Sequence, residues 1–531
     1  MPLNFYLGEA ERLFFGPLGQ IISGSLFLCF CLFYGKQLTP KVFGAAVFFY
    51  LLITKSEVLF FPPYGDAVGG PFLEAVWLSR HGFDYGGLFH QTGYALGGPK
   101  VYVFSIYPTF LALLLKLIPS AKLFLAVNHL VMFLIATLTV VYFRKILEYV
   151  FEIKTAFLGA LVLLFYPLFQ AQAEAINMEM PCLLFAVLSA YALIQNNVRR
   201  AGIFAILSVA IKGTGVYACA AVFLASWFKF FAGGKRITPE LIWGNLSFFF
   251  AALIFGAKFW IQDQHVSGGM IHLFAGWPSL KAMFIFYLFI LGLGVLLWTV
   301  IKDRKAVQEK GFSAVSIVFL YALTWFFLFL NFLAVSPRYR LTVSPFIIFI
   351  FIWSVTALNL PARLRNIILI GMMAASWVFS YGGNEKNTDY VIMEQNLEYR
   401  NDLKMYRQIA KELEGAREYD QVVAPFIVAQ ILAYPEMGYV QKPLNVTMYA
   451  MPSALPEIKS FTGLRQLNIS RTIWVATDYV TPIQGEHPFP IGPEDRVVRK
   501  IYFGDKKATL FMGGIAVELR RLVLEKLLER K

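Results

Sequence analysis

Three short stretches carry side chains able to do chemistry in a chain otherwise built of apolar residues. Asp66 stands in Phe61-Pro62-Pro63-Tyr64-Gly65-Asp66-Ala67-Val68-Gly69-Gly70, directly after an apolar run. A carboxylate at a membrane edge could take a proton from a hydroxyl that arrives from water. Pro, Gly and Asp together also favour tight turns, so a turn aspartate accounts for the same residues. Lys212 lies in Ser208-Val209-Ala210-Ile211-Lys212-Gly213-Thr214-Gly215, away from any water-facing flank. The neighbouring glycines suggest a helix break that opens backbone amides, and a cation beside free amides binds an anion such as phosphate. Snorkelling of the lysine to the interface is the plainer alternative. Arg338 and Arg340 flank Tyr339 in Ser336-Pro337-Arg338-Tyr339-Arg340-Leu341. Guanidinium groups engage phosphate oxygens through paired hydrogen bonds and stay charged at any relevant pH. Two arginines touching lipid headgroups would look the same.

Two further carboxylates, Glu174 and Glu179, flank Ala175-Ile176-Asn177-Met178 after Tyr166-Pro167. An ionisable group at membrane depth is costly and points to substrate binding. A short loop could bring both to the surface, and a helix N-terminus favours a carboxylate through its dipole, which suits Glu179. Cys29, Cys31, Cys182 and Cys219 all sit in apolar segments without metal-ligand spacing to His, and His265 and His272 are seven apart. No metal site, disulfide framework or cofactor is expected.

The elements that must position these groups are membrane helices. Of 531 residues, 58% are hydrophobic and 15% charged, and the mean hydropathy is +0.61. That excludes a soluble globule. The formal charge of +14 would suggest nucleic acid in a soluble protein, but Lys and Arg fall mostly in short loops between apolar runs, as membrane orientation requires. No nucleic-acid partner is expected. Runs long enough to cross fall near 17 to 35, 42 to 60, 123 to 143, 155 to 171, 179 to 195, 241 to 261, 283 to 301, 314 to 334, 340 to 358 and 366 to 381. Residues 1 to 16 lack a basic start leading to a cleavage site, so the first span is expected to be retained. Phe-rich runs such as Phe248-Phe249-Phe250 are expected to face lipid.

Two regions need an argument from charge. The stretch 201 to 231 is too long for one crossing and is interrupted at Lys212, so it splits into two short helices. The stretch 101 to 118 begins after Pro99-Lys100 and ends at Lys116 and Pro119, and could cross or only dip. If it dips, every strongly basic short loop lands on one side: Lys36/Lys41, Arg144/Lys145/Lys154, Arg199/Arg200, Lys229/Lys235/Arg236, Lys302/Arg304/Lys305/Lys310 and Arg363/Arg365. That regularity predicts about twelve transmembrane helices in residues 1 to 381, with a first outer loop at 61 to 122. The opposite side receives that loop, the Arg338 corner and the tail. Residues 71 to 78 could form a helix along the interface.

From residue 382 the chain turns polar. The pattern predicts a helix at 402 to 414, a strand at 471 to 477, a hairpin at 497 to 512 turning at Gly504-Asp505, and an amphipathic basic helix at 515 to 530. These read as one small C-terminal extracytoplasmic α/β domain, 382 to 531, or as a cap lying on the membrane surface.

Taken together, Gly65-Asp66, Tyr107-Pro108, Tyr166-Pro167 followed by an acidic residue opening a span, Lys212-Gly213 and Arg338-Tyr339 resemble the glycosyltransferase C superfamily. The likeness is to the branch of protein O-mannosyltransferases and the lipid A aminoarabinose transferase, and it covers roughly residues 42 to 345. It implies a polytopic α-helical glycosyltransferase that uses a polyprenyl-phosphate-linked sugar as donor and Asp66 as base. It also implies that Lys212 and Arg338 bind the donor phosphate; beside them the residues themselves make Arg340 a further phosphate-binding candidate and Glu179, Glu174 and Tyr339 candidates for substrate binding. The family position matched to Glu179 is usually Asp. No second acidic residue stands beside Asp66 to make a metal-binding pair, so no metal is expected.

The resulting expectation is an inverting transferase, hexosyl or pentosyl, acting on a glycan, lipid or protein hydroxyl at the periplasmic face of a bacterial inner membrane. Two rivals belong to other classes. One is a transporter or flippase for a lipid-linked or anionic substrate, built around Glu179, Lys212 and a broken helix. The other is a glycan-binding scaffold whose tail does the recognition.

Overall fold

The computed structural model describes residues 24–29 except 28, 38–90, 105–232, 238–263, 313–329, 337–358, 360–380, 397–448 with short gaps, 472–477, 496–503 and 506–512. The spans expected near 17 to 35, mostly, and 283 to 301, the loop bearing His265 and His272, and the helix expected at 515 to 530 lie outside these residues.

A helical bundle forms the first part. Helix α1 (Pro40–Thr54) is capped by the Thr39 hydroxyl and stops at Lys55, after which a 3₁₀ turn (Ser56–Phe60) leads into the Asp66 loop. Two short helices follow, α2 (Asp66–Gly69) and α3 (Pro71–Arg80), then α4 (Tyr85–His90) and α5 (Ile106–Leu117). The long α6 (Ala121–Glu148) extends for about 42 Å at 1.5 Å per residue, ample for a bilayer core. Helices α7 (Ile153–Leu164) and α8 (Pro167–Glu174) meet at a bend of 62°. The span expected at 155 to 171 is therefore broken, because Pro167 removes a backbone donor and drives Tyr166 out of the helical region.

Helices α9 (Glu179–Ile194), α10 (Val198–Ile211), α11 (Val216–Ala232) and α12 (Pro239–Asp263) follow. Then come α13 (Ala314–Phe329), a 3₁₀ turn (Pro337–Val343), α14 (Ser344–Ala357) and α15 (Ala362–Phe379). Among the described residues three helical segments are long and apolar enough to cross a membrane. They are Ala121–Glu148, Gly213–Phe231 and Arg338–Ala357; the bent α7–α8 pair makes a fourth. Five shorter apolar helices surround them. Phe248, Phe249 and Phe250 are exposed on α12, as a lipid-facing surface would be.

The two ends of the bundle differ in charge. Lys145 stacks on Tyr191, Lys229 donates to Asn196 at 2.9 Å, Arg199 covers Trp243, Arg365 pairs with Glu152, and Arg144 lies over Phe43 near the start of α1. These contacts gather the short basic loops at one end. Helices α10 and α11 form an antiparallel hairpin, since Asn196 and Lys229 meet at this end while the chain reverses at Lys212–Gly215 on the other. Helix α5 is one of the shorter apolar helices. Its twelve residues span about 18 Å, its start is tied to Ile211 and Met178 through Ser105, and Lys116 near its end covers Phe83.

The later part of the chain adds helices α16 (Tyr399–Gly415) and α17 (Phe426–Ala433) and a five-stranded sheet in the order β2-β1-β3-β5-β4. Strand β1 (Gln421–Ala424) runs parallel to β2 (Val446–Met448) and β3 (Thr472–Thr477). Strands β4 (Arg496–Phe503) and β5 (Lys506–Met512) form an antiparallel hairpin with a bulge between Val497 and Arg499. Helix α16 buries Leu403, Met405, Tyr406, Ile409 and Leu413, the apolar stripe its sequence pattern predicts.

Candidate functional site

The end of the bundle opposite the basic loops collects the charged groups. Glu179 is the first residue of α9 and is fully buried, where the helix dipole favours its negative charge. Lys212 closes α10 in an extended conformation, and the turn Gly213–Gly215 reverses the chain behind it. Gly215 makes that reversal possible, because a Cβ there would overlap the Ser208 carbonyl carbon. Arg338 lies in the 3₁₀ turn before α14 and is 2% exposed.

The three side chains meet. Lys212 donates to Glu179 Oε1, and Arg338 Nε approaches the same oxygen at 3.1 Å. Tyr339 roofs both cations, with Lys212 Nζ 4.5 Å and Arg338 Cζ 5.6 Å from its ring centroid. Two cations thus face one carboxylate oxygen in a buried place. Arg340, by contrast, is exposed. The turn that carries these arginines is fixed from below. Tyr217 of α11 donates to the Thr342 carbonyl at 2.7 Å and Trp325 of α13 to the Thr342 hydroxyl at 2.9 Å. The second oxygen of Glu179, the Tyr107 hydroxyl and the Asn177 amide nitrogen are buried without a hydrogen-bond partner among the described residues. Such orphaned polar atoms beside paired charges suit a site that completes its bonds with a ligand.

Glu174 belongs to a separate cluster. Its oxygens accept from Lys55 Nζ at 2.6 Å, from Arg400 Nε and Nη2 at 2.7 and 2.6 Å, and from the Tyr399 hydroxyl at 2.9 Å. Lys55 also donates to the Gln170 carbonyl at 3.0 Å. Burial alone would lower the charge affinity of Arg400, but the facing Glu174 carboxylate outweighs it and holds the guanidinium above its ordinary value. The arrangement clasps α16 to the ends of α1 and α8. No local signal announces it: Lys55 closes an apolar run, and Arg400 lies 226 residues beyond Glu174.

The Asp66 loop lies at the same end. The Phe61 carbonyl bonds His129 Nε2 at 2.9 Å, and a small cavity lined by Tyr64, His129, Glu174, Ile176 and Tyr399 separates the loop from α8. Gly65 has φ 57° and ψ −133°, a conformation that only glycine adopts without strain, and Asp66 opens α2 directly after it. Helix α3, expected along the interface, forms but is buried from Pro71 to Leu78, packed on α5 and under the tail. Near it, burial pushes the Tyr439 phenol well above its ordinary value, so it stays a donor. Among the described residues no group of three His, Cys, Asp or Glu is placed to hold a metal ion.

No family model matches the sequence, and no curated protein matches it. Among solved structures, the chain is similar to the crystal structure of ArnT from Cupriavidus metallidurans bound to undecaprenyl phosphate. The similarity covers 86% of this chain and 96% of that one, at 11% sequence identity and a TM-score of 0.42.

Proposed function

We propose that the protein is an inverting membrane glycosyltransferase that moves a sugar from a polyprenyl-phosphate-linked donor to a hydroxyl on the extracytoplasmic face. The observation that carries this reading is the buried cluster of Glu179, Lys212 and Arg338 with the orphaned polar atoms beside it. It lies at the bundle end that also holds the Asp66 loop and away from the basic loops that mark a cytoplasmic side.

In the reaction, the Asp66 carboxylate takes the proton of the acceptor hydroxyl, whose oxygen attacks the anomeric carbon. A new carbon–oxygen bond forms as the bond from that carbon to the phosphate oxygen breaks, and the electron pair leaves with the phosphate. A lipid phosphate needs no second carboxylate as general acid, because it is already a good leaving group. Lys212, Arg338 and Arg340 stabilise the charge that grows on it, an effect worth about a hundredfold or more for each preorganised donor. Glu179 keeps the two inner cations apart and oriented until the phosphate arrives. Residues 1 to 381 form the transferase part and 382 to 531 an extracytoplasmic α/β domain.

The test is transfer from a panel of polyprenyl-phosphate pentoses and hexoses to membrane acceptors, followed by mass spectrometry. Wild type is expected to transfer and Asp66→Asn to keep only residual transfer; full activity in that variant removes the base. The reversal at Lys212–Gly215 also suits a transporter. Movement of lipid across proteoliposomes without bond formation would favour that second reading.

A further inference from the structure

Among the described residues, the loop that carries Asp66 is held by the tail at several points. Tyr64 donates to Asp402 Oδ2 at 2.9 Å, and its ring packs against Tyr399 and Tyr406 with centroids 5.5 and 6.1 Å away. The neighbouring Pro63 carbonyl accepts from the Tyr439 hydroxyl at 2.9 Å. Arg407 lies over Phe61 at 5.6 Å. Beyond the loop, Arg80 at the end of α3 forms a two-pronged pair with Glu436 at 2.7 and 2.9 Å. From residue 61 to residue 80, the segment before and after Asp66 is thus gripped at four residues, Phe61, Pro63, Tyr64 and Arg80, by residues 399 to 439, which come from the far end of the chain.

Two details make this a positioning device rather than ordinary packing. Pro63 lacks a backbone donor and Gly65 has no side chain to lodge, so the loop has few bonds of its own to fix its path. The Tyr439 and Tyr64 bonds fall three and two residues before Asp66, on the stretch that sets where α2 begins.

We infer that the tail is an integral part of the reaction centre, in which Tyr439 and Asp402 are positioning residues that hold the Asp66 loop through Pro63 and Tyr64. The inference rests on Asp66 acting as base. A displacement of about 1 Å at a reacting group can cost a hundredfold in rate, so weakening this grip acts on turnover and leaves the donor-phosphate cluster intact.

Tyr64→Phe and Tyr439→Phe each remove one hydrogen bond at nearly constant volume. With the polyprenyl-phosphate-sugar panel and full-length protein, each is expected to lower kcat roughly 10- to 100-fold with the donor KM unchanged. Amide exchange should quicken in 61–70 while 179–194 and 208–216 keep their protection. In an Asp66→Asn background, Tyr439→Phe should cause no further loss of residual transfer. Unchanged kcat, unchanged exchange in 61–70, or exchange that quickens evenly through the bundle would each overturn the inference. If the wild type transfers no sugar, the proposed function fails while the exchange pattern still decides whether the tail holds the loop.

Discussion

Glu179 begins one helix and Lys212 ends the next, and the two form an ion pair across the 33 residues between them. Each charge lies at the helix end whose dipole suits it, and Arg338 completes a group in which one anion serves two cations. Glu179→Gln removes the carboxylate that the two buried cations share. Breaking a buried pair in this way costs about 3–5 kcal/mol. The variant is expected to melt earlier in detergent, and inorganic phosphate should restore more of its melting temperature than it adds to the wild type. Equal phosphate effects on both would speak against an anion site.

The reversal behind Lys212 depends on one glycine. A methyl group at Gly215 would overlap the Ser208 carbonyl, so Gly215→Ala must push α10 and α11 apart. Overpacking of this kind costs about 1–3 kcal/mol and shifts Lys212 away from Glu179. Turnover is expected to fall more than donor binding; Gly371→Ala, where the added atom meets open space, is the matched control and should behave as wild type.

Several residues of the candidate site stood out in the sequence. Lys212 and Arg338 were recognisable because charge in an apolar surrounding needs a reason, and Tyr166-Pro167 marked a break that the 62° bend realises. The charge pattern of the loops anticipated the two unlike ends of the bundle, and α16, β3 and the β4–β5 hairpin appear where periodicity put them. The partners were hidden. Nothing local pairs Lys55 with Glu174, or Tyr439 with Pro63, because such contacts arise only when elements hundreds of residues apart pack together. For the same reason the sequence grouped Glu174 with Glu179, five positions apart, although the structure sends them to different clusters.

The clasp of Lys55, Glu174 and Arg400 offers a test of what buried charge contributes. Removing Glu174 alone, as Glu174→Gln, is expected to destabilise by about 3–5 kcal/mol, because Lys55 then loses its carboxylate and Arg400 is left with the more distant Glu57 at 3.7 Å. Replacing all three together by apolar residues of similar size should cost far less, since the desolvation penalty disappears with the charges. A triple variant less stable than Glu174→Gln would mean that the clasp stabilises the fold outright.

Orientation in the membrane can be checked with exposed residues at the two ends. Arg199 and Arg340 are both exposed and belong to opposite ends of the bundle, the first beside Trp243 and the second in the turn that carries Arg338. In a cysteine-free background, Arg340→Cys should react with an impermeant maleimide in intact spheroplasts and Arg199→Cys only in inverted vesicles, as a positive-inside arrangement requires. The reverse pattern would move the reaction to the cytoplasmic leaflet, and reaction of both from one side would remove the crossing that the α9 to α11 helices are taken to make.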